Sequence, residues 1–320
     1  MSLLPMTMII PTYERADSLV STLKSMLSCV DKPEEVIIID QSVDDELISY
    51  KINEINEKYE GTMRYRHIEF PSSTMARNCG IELANNNILV FSDDDVNYDE
   101  NIFRNVYKFL SQNEYALVAG LDRLAVRQCG IFSYIFGLRN FLKRKKGHIS
   151  LGVFGRYPNV EDVDCETSTE WAMGYFFAVK KKIIMEHNIF FDEQMGQYAY
   201  SEDLDFSVRY CNEARMNQMK CIITPDVIVE HCTQRGWRIA SKSKTYRLVF
   251  NRYYILKKAI TAEFTVFGFW WANFGILIKK IIKRDNVRDY FEALYNCYKY
   301  REDIRNGNFH AELYDWNLRY

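Results

Sequence analysis

The chain has 320 residues, enough for one substantial α/β domain with an appendage or for two modest domains. Apolar residues make up 48% and aromatics 15%, which excludes a disordered or low-complexity protein, because that much apolar area offsets the entropy of ordering the chain. The formal net charge of -2 hides an uneven distribution, since 13 Lys and Arg stand between His231 and Arg288 against Glu263 and Asp285.

In chain order, Met6 to Ile10 is a short apolar run, and an amphipathic stretch follows from Ala16. Val36 to Ile39 and Asp44 to Tyr59 repeat that pair. A third strand is predicted at Met63 to Ile68, a helix around Thr74 to Ala84, and a fourth strand at Ile88 to Ser92. Such alternation predicts a parallel sheet with helices on both faces, whose ligands bind beyond the carboxyl ends of the strands. Three segments sit there and are expected to share one rim: Pro11-Thr12-Tyr13-Glu14-Arg15, Asp40-Gln41-Ser42 and Asp93-Asp94-Asp95. From Ala125 to Ser168 the pattern loosens, with a basic run from Arg139 to Lys146, and Gly147 to Glu166 is expected to be a mobile lid. Trp171 to Val179 is predicted to be a strand and Ser201 to Arg215 a helix with Ser201 as its N-cap. Lys220 to Ile223 and Val227 to Glu230 are predicted to be two late strands, and the charge shift places a boundary near Arg235.

The eight cysteines include no Cys-x-x-Cys pair, no Asn-x-Ser/Thr sequon occurs, and the first residues lack the pattern of a secretory leader. A reducing cytosolic setting is therefore expected.

Asp93 and Asp95, two apart on extended chain, point to one side and suit Mg²⁺ or Mn²⁺; a solvated acidic turn is the other reading. Asp40 ends an apolar run, where an acid accepts hydrogen bonds from a ribose or base, or forms an ordinary turn. Neither Gly-x-x-x-x-Gly-Lys nor Gly-x-Gly-x-x-Gly is present, so a cation must carry any diphosphate charge. Glu202 and Asp203 suit the positive end of a helix, and a carboxylate there also serves as a general base. His231, after the run Val227 to Glu230, is either structural or a metal ligand.

Together, Ile9-Ile10-Pro11-Thr12-Tyr13-Glu14-Arg15, Val36 to Ser42, Ala76-Arg77-Asn78-Cys79-Gly80, Phe91 to Val96, and Phe191-Asp192-Glu193 followed by Ser201-Glu202-Asp203-Leu204-Asp205 resemble family 2 inverting glycosyltransferases, in order and spacing over about residues 6 to 232. The resemblance implies a GT-A fold, α/β with a mostly parallel central sheet, plus a C-terminal helical extension. It implies a catalytic domain over residues 1–235, with a nucleotide-sugar half to about 120 and an acceptor half beyond, and a basic, mainly helical region over 236–320. By similarity, Pro11, Tyr13, Glu14, Asp40, Arg77, Asp93 and Asp94 bind the nucleotide sugar, with Glu14 standing where the family often has Asn. Asp95 and His231 hold Mn²⁺ or Mg²⁺, Asp203 is the base with Glu202 beside it, and Trp171 and Gly174 form the acceptor wall. The implied reaction moves a sugar from a nucleotide-diphosphate sugar, a UDP-sugar foremost, to a saccharide or lipid-linked saccharide in bacterial cell-surface polysaccharide biosynthesis. Two rivals share the pattern: a sugar-phosphate nucleotidyltransferase, disfavoured because residues 11–15 contain no glycine, and a non-catalytic nucleotide-sugar binding protein.

Phe264 to Ile278 is a charge-free run of 15 residues rich in Phe and Trp, ended by Lys279-Lys280 and Lys283-Arg284. A bilayer span takes about 20 apolar residues, so the run is expected to lie in an interface, with peripheral contact at the inner face of the cell membrane; packing on protein is the alternative. No nucleic-acid-binding motif is present, and a homo-oligomer is compatible with the sequence.

Overall fold

Short apolar runs alternating with amphipathic stretches fold as successive βα units. The computed structural model describes residues 2–43, 46–126, 130–143, 145–196, 199–232, 241–259 and 263–314, so the boundary near Arg235 and the first two residues of the predicted segment Asp44 to Tyr59 lie outside the described residues. The first half runs β1 (Leu3–Thr12), α1 (Ala16–Ser28), β2 (Lys32–Asp40), α2 (Glu46–Asn56), β3 (Thr62–His67), α3 (Ser73–Leu83), β4 (Ile88–Ser92), β5 (Val96–Tyr98), α4 (Ile102–Leu110) and β6 (Tyr115–Asp122). The second runs α5 (Ile131–Ile135), β7 (His148–Ile149), β8 (Gly155–Arg156), β9 (Thr167–Ser168), β10 (Phe176–Lys180), α6 (Lys181–His187), α7 (Glu202–Met216) and β11 (Lys220–His231). Among the described residues four helices follow: α8 (Ser241–Ala259), α9 (Glu263–Lys283), α10 (Val287–Lys299) and α11 (Arg301–Arg305).

The central sheet has the order β3-β2-β1-β4-β10-β6-β11-β5, with β9 paired to β11. β3, β2, β1 and β4 are parallel, as are β6 and β11, while β10 runs antiparallel between β4 and β6. β4 is buried at every position because both faces of the sheet are covered, which is why it reads as a continuous apolar run. Alternate side chains divide between two cores: Ile9, Ile37 and Phe91 face one layer, and Met8, Ile38 and Val90 the other. Gly80 lets α3 approach β1 closely, since a Cβ there would stand 2.3 Å from Ile9 Cγ2.

Three expectations need correction. Residues from Trp171 to Tyr175 precede β10 rather than forming its first half, because they curve along the cleft described below. The two late strands are one, β11, whose register against β6 shifts between Ile223 and Ile228, across Pro225, which has no N–H for the ladder. The lid predicted over Gly147 to Glu166 is a packed wall: β7 and β8 pair, Val153, Tyr157 and Val163 are buried in the core, and Tyr157 Oη donates to Trp171 O at 2.9 Å. A hairpin of two-residue strands has too little length to show a period.

The basic C-terminal helices join this body. Arg252 of α8 is buried, donating to Gly152 O at 2.7 Å and to Asn273 Oδ1 of α9 at 2.8 Å, while Tyr290 Oη of α10 donates to the same Oδ1 at 2.6 Å. Its guanidinium lies 3.7 Å from the centre of the Phe154 ring, which replaces a counter-charge with the face of an aromatic.

Candidate active site

The carboxyl ends of β1, β2 and β4, the start of α7 and the end of β11 border one cleft of about 870 Å³. Of the residues singled out in the sequence, Pro11, Tyr13, Arg77, Asp93, Asp94, Asp95, Trp171, Gly174, Glu202, Asp203 and His231 line it. Asp40 and Glu14 do not. Asp40 is fully buried, with Ser42 N (2.9 Å) and Ser42 Oγ (2.7 Å) donating to Oδ1 and Tyr65 Oη (2.7 Å) to Oδ2. Glu14 has φ +54°, in the left-handed region that Asn tolerates better, and its Oε1 accepts from Val43 N at 2.7 Å while its own N donates to Ser42 Oγ at 2.8 Å. Together they fasten the loop after β1 to the turn after β2, and Gln41 from that turn reaches the cleft instead.

At the end of β4 the three aspartates divide. Thr12 Oγ1 donates to Asp94 Oδ2 at 2.7 Å, and Arg15 bridges Asp94 Oδ1 (2.8 Å) and Asp95 Oδ2 (2.5 Å). Burial, opposed by the Arg15 charge, pushes the Asp94 carboxyl up to about 7. Asp95 Oδ1 is buried and is not paired by a hydrogen bond of good geometry, with His231 Nε2 3.1 Å away as its ionic neighbour. Asp93, Asp95 and His231 each bring a ligand atom to within 4.8 Å of the others. Burial opposes a charge on His231, but Asp95 and Asp93 outweigh it and raise its pKa. The imidazole is stacked on Tyr175, ring centres 5.2 Å apart, and its backbone N donates to Asp122 Oδ1 at 3.1 Å. Two carboxylates, one of them with an orphaned buried oxygen, and an oriented imidazole fit Mn²⁺ or Mg²⁺.

Across the cleft, Glu202 and Asp203 open α7. Ser201 holds the N-cap position, but with φ +75° its hydroxyl makes no capping bond, contrary to expectation. The helix start is instead turned so that Asp203 meets the backbone: Gly174 N donates to Oδ2 and Leu204 N to Oδ1, each at 2.8 Å. Burial and the adjacent Glu202 push the Asp203 carboxyl up to about 7 against those donors and Arg77. Arg77, only 3% exposed, ties the two sides together, donating to Glu202 Oε1 at 2.7 Å, Asp93 Oδ1 at 3.0 Å and Gly174 O at 3.3 Å. Its neighbour Asn78 exchanges two 2.9 Å hydrogen bonds with the Phe191 backbone and donates to Glu193 Oε1 at 2.8 Å, so two motifs far apart in sequence meet beneath the site.

Sequence reasoning missed Arg15 as a partner of the aspartates, and it missed the wall made by Val153, Phe154, Gly155 and Arg156 with Tyr200 and Arg252. Arg15 ends one motif and Tyr200 adjoins another, so both were within reach of that signal; the hairpin and α8 carry no local sign of the cleft.

Residues 7–147 match the family model of glycosyl transferase family 2. No curated protein matches the sequence. Among solved structures the chain is similar to GalNAc-T7 with UDP, GalNAc and Mn²⁺ (TM-score 0.60, 15% identity, 80% of this chain and 48% of that one), so it spans about half the length of that protein. It is also similar to the mannosyltransferase PcManGT from Pyrobaculum calidifontis with GDP-Man and Mn²⁺ (TM-score 0.55, 15% identity, 98% and 88% covered). S. aureus TarS with UDP-GlcNAc gives a TM-score of 0.56 at 12% identity, with 96% and 88% covered. These likenesses are of fold: the chain has the GT-A architecture that its motifs imply.

Proposed function

We propose, from the match of residues 7–147 to glycosyl transferase family 2 and from the GT-A fold, that this chain is a metal-dependent inverting glycosyltransferase. It takes a nucleotide-diphosphate sugar, a UDP-sugar foremost, and transfers the sugar to a hydroxyl of a saccharide or lipid-linked saccharide. The observation that carries the reading is the pairing, across one cleft, of the Asp93, Asp95 and His231 cluster with a carboxylate, Asp203, held near neutrality. That solved structures of the same fold hold UDP or GDP-Man with Mn²⁺ supports it.

Pro11 and Tyr13 border the nucleotide, on a loop that Glu14 and Asp40 fasten. Asp95 and His231, with Asp93 beside them, hold Mn²⁺ or Mg²⁺, which stabilises charge developing on the departing diphosphate. Asp94 fixes Arg15 at that end, and Arg77 orients both Asp93 and Glu202. Trp171 and Gly174 make the acceptor wall, with an indole suited to a sugar ring. Asp203 takes the proton from the attacking hydroxyl, its two backbone donors holding the carboxylate in one orientation, and the displacement proceeds with inversion. The setting is bacterial cell-surface polysaccharide assembly at the cytoplasmic face of the membrane.

A thermal-shift screen of UDP, GDP, dTDP and CMP with Mn²⁺, Mg²⁺ or EDTA tests the donor site, because a ligand bound by the native state alone raises its stability. A shift with one nucleotide that EDTA abolishes is expected. No shift under any condition overturns the reading of Asp93 to Asp95.

A further inference from the structure

We infer that the chain docks on an anionic lipid bilayer through one surface built from two segments far apart in sequence, α5 with the residues after it and α9. From Arg123 to Val160 and from Phe264 to Arg284 the chain contains no Asp or Glu. The two stretches pack together: Trp271 Nε1 donates to Ile135 O at 2.9 Å, and the Trp271 ring stacks on Phe136 at 5.1 Å. Gly275 makes the contact possible, since a Cβ there would lie 2.3 Å from Phe136 Cγ. The outer face that results is apolar and exposed: Leu142 is 89%, Phe267 63% and Ile135 59% exposed, with Phe141 and Phe274 beside them. Exposed Lys145, Lys146, Lys279, Lys283 and Arg284 flank it.

An apolar face of this kind marks an interaction surface. Its aromatic residues, cationic flank and lack of acids on both contributing segments fit a headgroup boundary carrying negative charge better than a protein partner, which would need no such one-sided charge. α9 is long and apolar enough to cross a membrane by length and composition, yet its other face is committed to the protein. Phe269, Ala272 and Asn273 are fully buried, and Asn273 holds Arg252; a spanning α9 would leave that guanidinium without its partner. The helix therefore lies along the surface.

The same surface abuts the cleft. Gly268 packs against Leu151, Gly152 against Ala272, and the next four residues, Val153 to Arg156, line the acceptor side. If the chain is the glycosyltransferase proposed above, its acceptor is a saccharide carried on a membrane lipid and reaches Asp203 from the bilayer side.

The test is co-sedimentation of the full chain with vesicles of phosphatidylglycerol and phosphatidylcholine, or of phosphatidylcholine alone, at low and high salt. Binding to the anionic vesicles, weakened by salt, is expected, with a loss of at least about tenfold in partitioning for the double variant F141S/L142S. Both positions are exposed, so the melting temperature and the nucleotide and metal shift stay those of the wild type, which separates this inference from the reading of the active site. No sedimentation with either vesicle overturns it. Equal sedimentation of wild type and variant overturns it as well, as does a dimer in analytical ultracentrifugation that the variant dissolves while vesicles bind neither form.

Discussion

Replacing Asp203 by Asn probes the carboxylate on which the proposed chemistry turns. Asn keeps the shape, and its Oδ1 still accepts from Leu204 N or Gly174 N, so donor binding at the other end of the cleft is preserved. The proton acceptor is gone, however, and a general base contributes about 10²–10⁴-fold, so kcat for nucleoside-diphosphate release should fall by that factor. The wild-type pH profile carries a second signature. With the Asp203 carboxyl at about 7, the wild-type rate should rise to a plateau above that pH and stand at about a tenth of it one unit below. The variant lacks that limb. Stability supplies an independent reading whose sign is fixed. The folded state holds this carboxyl's pKa above its unfolded value, so it binds the extra proton between pH about 4 and 7, and the resulting stability is lost as pH rises through about 7. Melting curves across that window should therefore shift in favour of D203N as pH rises. Initial rates and melting curves from pH 5 to 9 measure both; a variant with wild-type kcat, or one that keeps the limb near 7, refutes the assignment.

His231→Ala removes one of three candidate ligands without touching the nucleotide loop, so Mn²⁺ binding measured by calorimetry should weaken on the order of ten- to a hundredfold. Arg77→Met leaves the partly buried Glu202 and Asp93 without their cation; solvent reaches both acids, so the loss should fall below the roughly 3–5 kcal/mol of a fully buried pair, at about 1–3 kcal/mol. The melting temperature should drop by a few degrees. Gly80→Ala forces a methyl into Ile9 and should destabilise by about 1–3 kcal/mol, read as a lower denaturation midpoint in urea with an unchanged slope.

Strand and helix order to residue 92 was legible because each element is a local period, and the residues after β1, β2 and β4 meet at one rim for the topological reason that parallel strands present their carboxyl ends together. What local pattern could not give was set by partners. Asp40 accepts from Ser42 Oγ, two residues on, and from Tyr65 Oη, 25 residues on, which a strand-end rule does not register. Gly147 to Glu166 looks loose when only local period is counted, whereas Tyr157 and Val153 find their partners in the central core. The hydrogen bonds of Arg252 reach back 100 residues to Gly152 and forward 21 to Asn273, so no window of sequence could reveal that a basic helix closes the cleft.

The charges of the cleft explain why the proposed cation would suit it. Asp93, Asp94, Asp95, Glu202 and Asp203 all line the cleft, and the guanidiniums of Arg15 and Arg77 bridge four of them. Arg15 closes one side of Asp95 and leaves Oδ1 unsatisfied; Arg77 is spent on Asp93 and Glu202 and leaves Asp203 to its backbone donors. Burial raises Asp93, Asp94 and Asp203 alike, so this set of acids resists full ionisation when it is alone. A divalent ion, which Asp93, Asp95 and His231 would hold, would remove that resistance at one end only, where a diphosphate would bring further negative charge. Asp203 lies outside the cluster and keeps its affinity for a proton, as the proposed base would need. The separation depends on Arg77 standing between the two ends: it accepts the charge of Glu202, the neighbour that would otherwise drive Asp203 higher still.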